Sequence, residues 1–321
     1  MSKTTLWVIV GLIALIVCIS LLVIFCRPSS RKPNRENSSY PFCSIDGWSE
    51  VVDEKASSQN GWKTEKPIVF VDNRPDLFSF SNLQRLLHQR STPVILVFAS
   101  NSTHNTPRQK ESEEDRLIHS HPMLKKIYAK NALYSSPRLG VIPIGPKWQY
   151  HSYDLYGEDK TRNRNIFLSF AKNAKEVQKN WDRPKKEGIV VALGDAPGRK
   201  HHEGVLTSST DMIVKPKDKL ELKDFLTLLG EHQFVFSPPG FGYDCHRHWE
   251  SLLVGSIPVV IGSQTSDELF KDLPVWVVKS YKEVTNESME RIHKEFHAKS
   301  WNFERLFLDF WREKFCSEAT Q

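Results

Sequence analysis

FSPPGFGYDCHRHWESLLVGSIPVVIG, residues 236 to 262, decides how the rest of the chain is read. The apolar Phe234-Val235-Phe236 runs into Ser237-Pro238-Pro239-Gly240-Phe241-Gly242, where proline and glycine end a strand. Asp244 can cap a helix that ends at Gly255, and Ile257 to Ile261 has the apolar, β-branched make-up of a second strand. Strand, glycine-containing turn, helix, strand is the repeating unit of a parallel α/β sheet. Gly240 and Gly242 would let backbone N–H groups come close to a ligand, and the helix start adds partial positive charge, so the unit suits a phosphate. It lacks the third glycine of a G-x-G-x-x-G fingerprint, and no G-K-[ST] follows as in a P-loop.

Within that helix His246 and Glu250 lie four residues apart on one face, with Arg247 one position round. A guanidinium can fork onto a diphosphate and a carboxylate can accept both hydroxyls of a ribose. The bland alternative is a solvated helix face with an i,i+4 pair. A metal site from His246, His248 and Glu250 is disfavoured, because the three do not share one helical face. Trp249, Leu252 and Leu253 make the packing face.

Outward from this unit, short apolar runs alternate with helix-like segments from Pro67 onward. Strands are expected at Ile68 to Val71, Pro93 to Phe98, Leu139 to Ile142, Ile166 to Phe170, Ile189 to Leu193, Phe234 to Ser237, Ile257 to Ile261 and Val275 to Val278. Helices are expected at Ser81 to Gln89, Pro122 to Asn131, Leu220 to Leu229 and Asp244 to Val254. The pattern predicts an α/β fold with two sheets, divided near the polar stretch Tyr150 to Asn165.

At the other end, Leu6 to Phe25 has twenty residues without charge or proline, enough at about 1.5 Å per residue to cross about 30 Å of hydrocarbon. The expected organisation is a tail at 1–5, a transmembrane anchor at 6–26, a Ser- and Asn-rich stem at 27–66, an N-terminal lobe at 67–160 and a C-terminal lobe at 161–321. The formal charge is +6, but residues 1–35 hold five basic groups and no acid, leaving about +1 for the remainder and no nucleic-acid stripe. Basic residues after the span favour a cytoplasmic body, whereas the sequons at Asn37, Asn101 and Asn286 favour a lumenal one. Beyond Cys18 and Cys26 there are three cysteines, so a Cys43 to Cys316 disulfide would leave Cys245 as a thiol.

The segment SPPGFGYDCHRHWESLLVGSIPVV resembles the S-P-R-G-x-G-x-D-x-H-R-x-W-E-x-L-x-x-G-x-I-P-V pattern of exostosin-like glycosyltransferases, glycosyltransferase family 47 and its relatives. The resemblance continues into Asp272-Leu273-Pro274-Val275 and Tyr281 to Thr285, and more weakly back to Ile127 to Asn131 and Arg138 to Gly145. It implies two Rossmann-like lobes of the GT-B type and a single-pass type II anchor with the body in the Golgi or endoplasmic reticulum lumen. It further implies a nucleotide sugar, a UDP sugar, held by the C-terminal lobe, and a glycan or glycoprotein acceptor facing the N-terminal lobe. Nucleotide-sugar binding falls on Ser237, Gly240, Gly242, Asp244, His246, Arg247 and Glu250, with Glu250 on the ribose and Arg247 near the diphosphate. Pro239 stands where the family commonly has arginine, which keeps open an inactive relative that binds glycans or partners.

The chain contains no Asp-x-Asp, and Gly242 occupies the position eight before Glu250 where retaining enzymes of this fold often carry a carboxylate. Metal-independent inversion is therefore expected, with no cofactor, and an acid–base group must take the acceptor proton. Asp72, after the first strand of the N-terminal lobe, is the candidate base, and His104 is a second. His201-His202 beside Arg199-Lys200 reads as a solvated loop. Trp148 and Tyr150 are packing residues or platforms for an acceptor sugar. A third class, a cytosol-facing membrane protein that binds a phosphorylated metabolite, rests on the charge flanks alone.

Overall fold

The computed structural model describes residues 43, 48, 52–56, 65–71, 80–99, 112–147, 160–192, 196 and 198–321. The expected span Leu6 to Phe25, Asn37, Asp72, Asn101, His104, Trp148 and Tyr150 lie outside them. Among the described residues no helix is long and apolar enough to cross a membrane.

Two five-stranded parallel sheets make the body. The first holds β1 (Glu54–Ala56), β2 (Ile68–Val71), β3 (Val94–Phe98), β4 (Leu124–Ala129) and β5 (Leu139–Val141) in that spatial order. Helices α1 (Phe80–His88) and α2 (Glu113–Ser120) belong to its crossovers. The second holds β6 (Lys186–Val190), β7 (Ile213–Val214), β8 (His232–Phe236), β9 (Ile257–Ile261) and β10 (Trp276–Val278) in the order β7-β6-β8-β9-β10. With it go α3 (Lys160–Phe170), α4 (Ala174–Trp181), α5 (Arg199–Thr207), α6 (Leu222–Glu231), α7 (His246–Leu253), α8 (Ser266–Leu269) and α9 (Asn286–His297). Continuous apolar runs explain the strands: all five residues of β3 are buried, as both faces of a covered parallel sheet require. Strand order reverses between β6 and β8, and the carboxyl ends of strands at such a point flank a crevice.

Two expected elements change type. Pro122 to Asn131 contains strand β4 rather than a helix, although Leu124, Ile127 and Tyr128 have helical spacing and lysine favours helix. Pairing to β3 on one side and β5 on the other outweighs that local preference. Ile166 to Phe170, apolar enough for a strand, is the last part of α3, which buries Phe167. Short β1 and β7 were not foreseen, since three and two residues carry no periodic signal.

The helix α10 (Leu308–Thr320) departs from the expected division at residue 160, because it packs on the first sheet. Its stripe Leu308, Trp311, Phe315 is buried in a cluster with Trp48, Ile95, Val97 and Tyr128. Trp311 meets the Trp48 ring edge-on at 5.6 Å, Phe315 lies 4.7 Å from Tyr128, and the Tyr128 hydroxyl donates to Glu318 at 2.6 Å. Each such ring pair adds about 0.5–1.5 kcal/mol beyond its buried area. Cys43 and Cys316 both meet this cluster, and the conceivable disulfide between them is not formed. Cys43 instead donates to the Arg305 carbonyl.

At the end of α7, Gly255 takes φ +79°, and a β-carbon there would stand 2.4 Å from the Asn180 backbone. Both conditions call for glycine, which lets α7 stop abruptly and turn into β9.

Candidate functional site

The segment that opened the sequence reading lies at the reversal point. Strand β8 ends at Phe236, the turn Ser237 to Gly242 follows, and α7 starts at His246 with Cys245 at its N-cap. Asp244 therefore does not cap this helix. One carboxylate oxygen accepts the Trp249 indole N–H at 2.7 Å and the other accepts the Ile144 backbone N–H at 2.7 Å, across the gap between the lobes. Burial raises its pKa to about 7, against those donors and the nearby Lys130. Burial likewise lowers Lys130 to about 8, with Asp244 opposing.

Three more bonds run between the same two parts. The Asp244 N–H donates to Asn131 Oδ1 at 2.9 Å, His246 Nδ1 donates to the Gly145 carbonyl at 2.7 Å, and Lys147 N–H donates to Glu250 Oε1 at 3.1 Å. The face of α7 expected to meet a nucleotide is thus closed against residues 144–147 of the first lobe. A carboxylate has about four acceptor positions, so one backbone bond leaves Glu250 capacity for two hydroxyls. Burial raises the Glu250 pKa, and the adjacent Arg247 charge works in the opposite direction.

The glycines are explained by protein neighbours. A β-carbon on Gly242 would stand 2.4 Å from Asn131 Oδ1, and one on Gly240 would stand 3.0 Å from Arg199 Nη2. The Gly240 N–H is itself bonded to the Gly242 carbonyl. Ser237 is fully buried and its hydroxyl meets His248 Nδ1 at 2.6 Å. His248 Nε2 donates to the Tyr243 carbonyl at 2.9 Å, so Nδ1 is the acceptor and the ring is neutral, its pKa lowered to about 4 by burial. Ser237 and His248 hold the turn's shape. His246, His248 and Glu250 point to separate partners, and among the described residues no three His, Cys, Asp or Glu side chains converge as metal ligands.

The cations are arranged differently from the expectation. Arg247 lies 5.4 Å over the ring of Phe225 on α6. The guanidinium at the turn is that of Arg199, which opens α5 just beyond β6 on the other side of the reversal point. Arg199 Nε donates to the Pro239 carbonyl at 3.4 Å and Nη2 approaches Cys245 Sγ at 4.0 Å. Both contacts are long. Among the described residues no carboxylate is within ion-pair distance of it, so most of its donor fork is uncommitted. The solvated loop read at 199 to 202 is in fact this helix: His201 is exposed, while His202 packs edge-on against Tyr281 at 5.6 Å. Distance in sequence hid Arg199, and its only signal was its place after an apolar strand.

A cavity of about 360 Å³ opens beside the turn, lined from the first lobe by Asn131 to Leu133 and from the second by His202, Pro239 to Asp244, Ser263, Thr265 and Ser266. Asn286, the one sequon asparagine among the described residues, opens α9 on the surface and donates to Asp211 at 2.8 Å.

The chain is thus a two-lobed parallel α/β protein with an arginine-flanked turn at a strand-order reversal. No protein-family model matches the chain, and no curated protein matches it in sequence. Among solved structures it is similar to AviGT4, a glycosyltransferase involved in avilamycin A biosynthesis, with 11% identity, a TM-score of 0.31, and coverage of 86% of this chain and 78% of that one. The likeness is distant, and function has to rest on the site's own chemistry.

Proposed function

We propose that the chain is an exostosin-like glycosyltransferase that moves a sugar from a UDP sugar to a glycan or glycoprotein acceptor with inversion and without a metal. The observation that carries this reading is the Arg199 guanidinium beside the start of α7, which has no ion-pair partner among the described residues and lies at the crevice where parallel α/β sheets bind ligands. In the proposed step a base, Asp72, takes the acceptor's hydroxyl proton while that oxygen attacks the anomeric carbon. The bond from that carbon to the diphosphate oxygen breaks, and the leaving charge falls to Arg199 and the positive end of α7. Glu250 holds the ribose, and Arg247 adds positive charge beside it.

The second reading, a silent relative that only binds glycans or partners, is favoured by Pro239. Arg199 weakens that objection, because its side chain brings a guanidinium to the Pro239 carbonyl from the start of α5. UDP release by the full chain from a panel of UDP sugars tests the proposal. Glu250→Gln and Arg247→Ala are each expected to lower turnover about tenfold, the cost of roughly one good hydrogen bond to a charged group. Turnover equal to wild type in both would remove them from the site.

The anchor at Leu6 to Phe25 and a lumenal body in the Golgi or endoplasmic reticulum belong to the same proposal. Its check is endoglycosidase treatment of chain made in cells, expected to release glycan from Asn101 or Asn286. A fully unglycosylated chain with a cytosolic body would reverse the topology.

A further inference from the structure

Four large apolar or aromatic side chains among the described residues are exposed: Leu133, Phe241, Tyr243 and Val277. Three of them, Leu133 at 40%, Phe241 at 77% and Tyr243 at 53%, line the cavity beside the turn. Scattered exposed hydrophobes need no explanation, but three gathered on one concavity mark a binding surface. Neither Phe241 nor Tyr243 stacks on another ring among the described residues, so their faces are open. Between them Gly242 abuts Asn131, and the cavity lining also includes Ser263, Thr265 and Ser266, whose hydroxyls contact one another. Ring faces combined with amide and hydroxyl groups are what a sugar ring requires, since it offers C–H bonds on one side and hydroxyls around its edge.

We infer that this cavity is the acceptor subsite and that it receives an uncharged pyranose, stacked on Phe241 and Tyr243 with its hydroxyls toward Asn131 and Ser263. The assignment of this ligand as acceptor rests on the glycosyl transfer proposed above; the recognition of a sugar ring does not. The volume, about 360 Å³, is at the lower end of the roughly 300–1,000 Å³ of small-molecule sites, which suits a terminal sugar rather than a long glycan. Among the described residues no lysine or arginine lines the cavity, whose ionisable members besides Tyr243 are His202 and Asp244, so a uronic acid would meet no fixed counter-charge in that lining. The cavity draws walls from both lobes and adjoins Gly240, beside which Arg199 lies, placing a bound hydroxyl next to the expected leaving group.

The test is saturation-transfer NMR on the full chain with methyl β-glucopyranoside, whose axial hydrogens give it two apolar faces, and with the matching methyl β-glucuronide. Transfer to the ring C–H protons of the glucoside is expected, at least threefold weaker in Phe241→Ala and Tyr243→Ala and weaker for the glucuronide. Both rings are exposed, so these variants keep the fold, which thermal melting verifies. Absence of transfer, equal transfer in the variants, stronger transfer to the glucuronide, or displacement of the glucoside by UDP would each overturn the inference. Ring-dependent glucoside binding in a chain that releases no UDP from any UDP sugar would uphold sugar recognition while the transferase reading falls.

Discussion

Arg199→Ala is expected to lower kcat/KM for UDP-sugar turnover by about a hundredfold, the scale found when a single preorganised donor to developing charge is removed. The reasons are geometric. Arg199 is half-buried at the first position of α5 and, among the described residues, is held only by a 3.4 Å bond to the Pro239 carbonyl and a 4.0 Å approach to the Cys245 sulfur. Its charge reaches Glu250, Cys245 and His248, so it sits at the electrostatic centre of the turn. Arg199→Lys keeps the charge without the planar fork and should recover only part of the loss. Because its contacts to protein are weak, the alanine variant should melt close to wild type. Steady-state kinetics with UDP release as readout decides the matter: an alanine variant as fast as the parent would place the diphosphate elsewhere.

The second large effect concerns stability. Asp244→Ala is expected to cost about 3–5 kcal/mol, since each buried donor left without its acceptor costs about 1–3 kcal/mol. The substitution would leave the Ile144 and Trp249 N–H groups without their acceptors and remove the nearby carboxylate that opposes the loss of charge on buried Lys130. At roughly 2–4 °C per kcal/mol the melting temperature should fall by about 10 °C. If buried charge is the cause, Lys130→Met added to Asp244→Asn should restore part of what Asp244→Asn loses. A normal melting curve for Asp244→Ala, with turnover alone impaired, would instead return Asp244 to the ligand-contacting role its motif implied.

These cases show what could be read from residues alone. Eight apolar runs were taken as strands, and seven correspond to strands, because burial on both faces writes itself as consecutive apolar residues. The exception, Ile166 to Phe170, and the misjudged Pro122 to Asn131 are short segments in which partners, not propensity, decide. In the site, the strand, turn and helix around Gly240 were legible as a local pattern. The destination of each side chain was not. Asp244, His246 and Glu250 face the backbone of 144–147, about a hundred residues earlier in the chain, and Arg199 arrives from the start of α5. No local periodicity records those meetings, since they are created by the stacking of two sheets.

The return of α10 to the first sheet has a consequence in time. Strand β5 ends at Val141, yet the aromatic stripe that covers Tyr128 and Trp48 begins only at Leu308. At about 5–20 residues per second of synthesis, the earlier sheet must wait roughly 10 to 30 s with that apolar face bare. During this interval the second lobe is a long insertion within an unfinished first one. A nascent chain of this design calls for a protective companion on the face that Trp311 and Phe315 will later occupy.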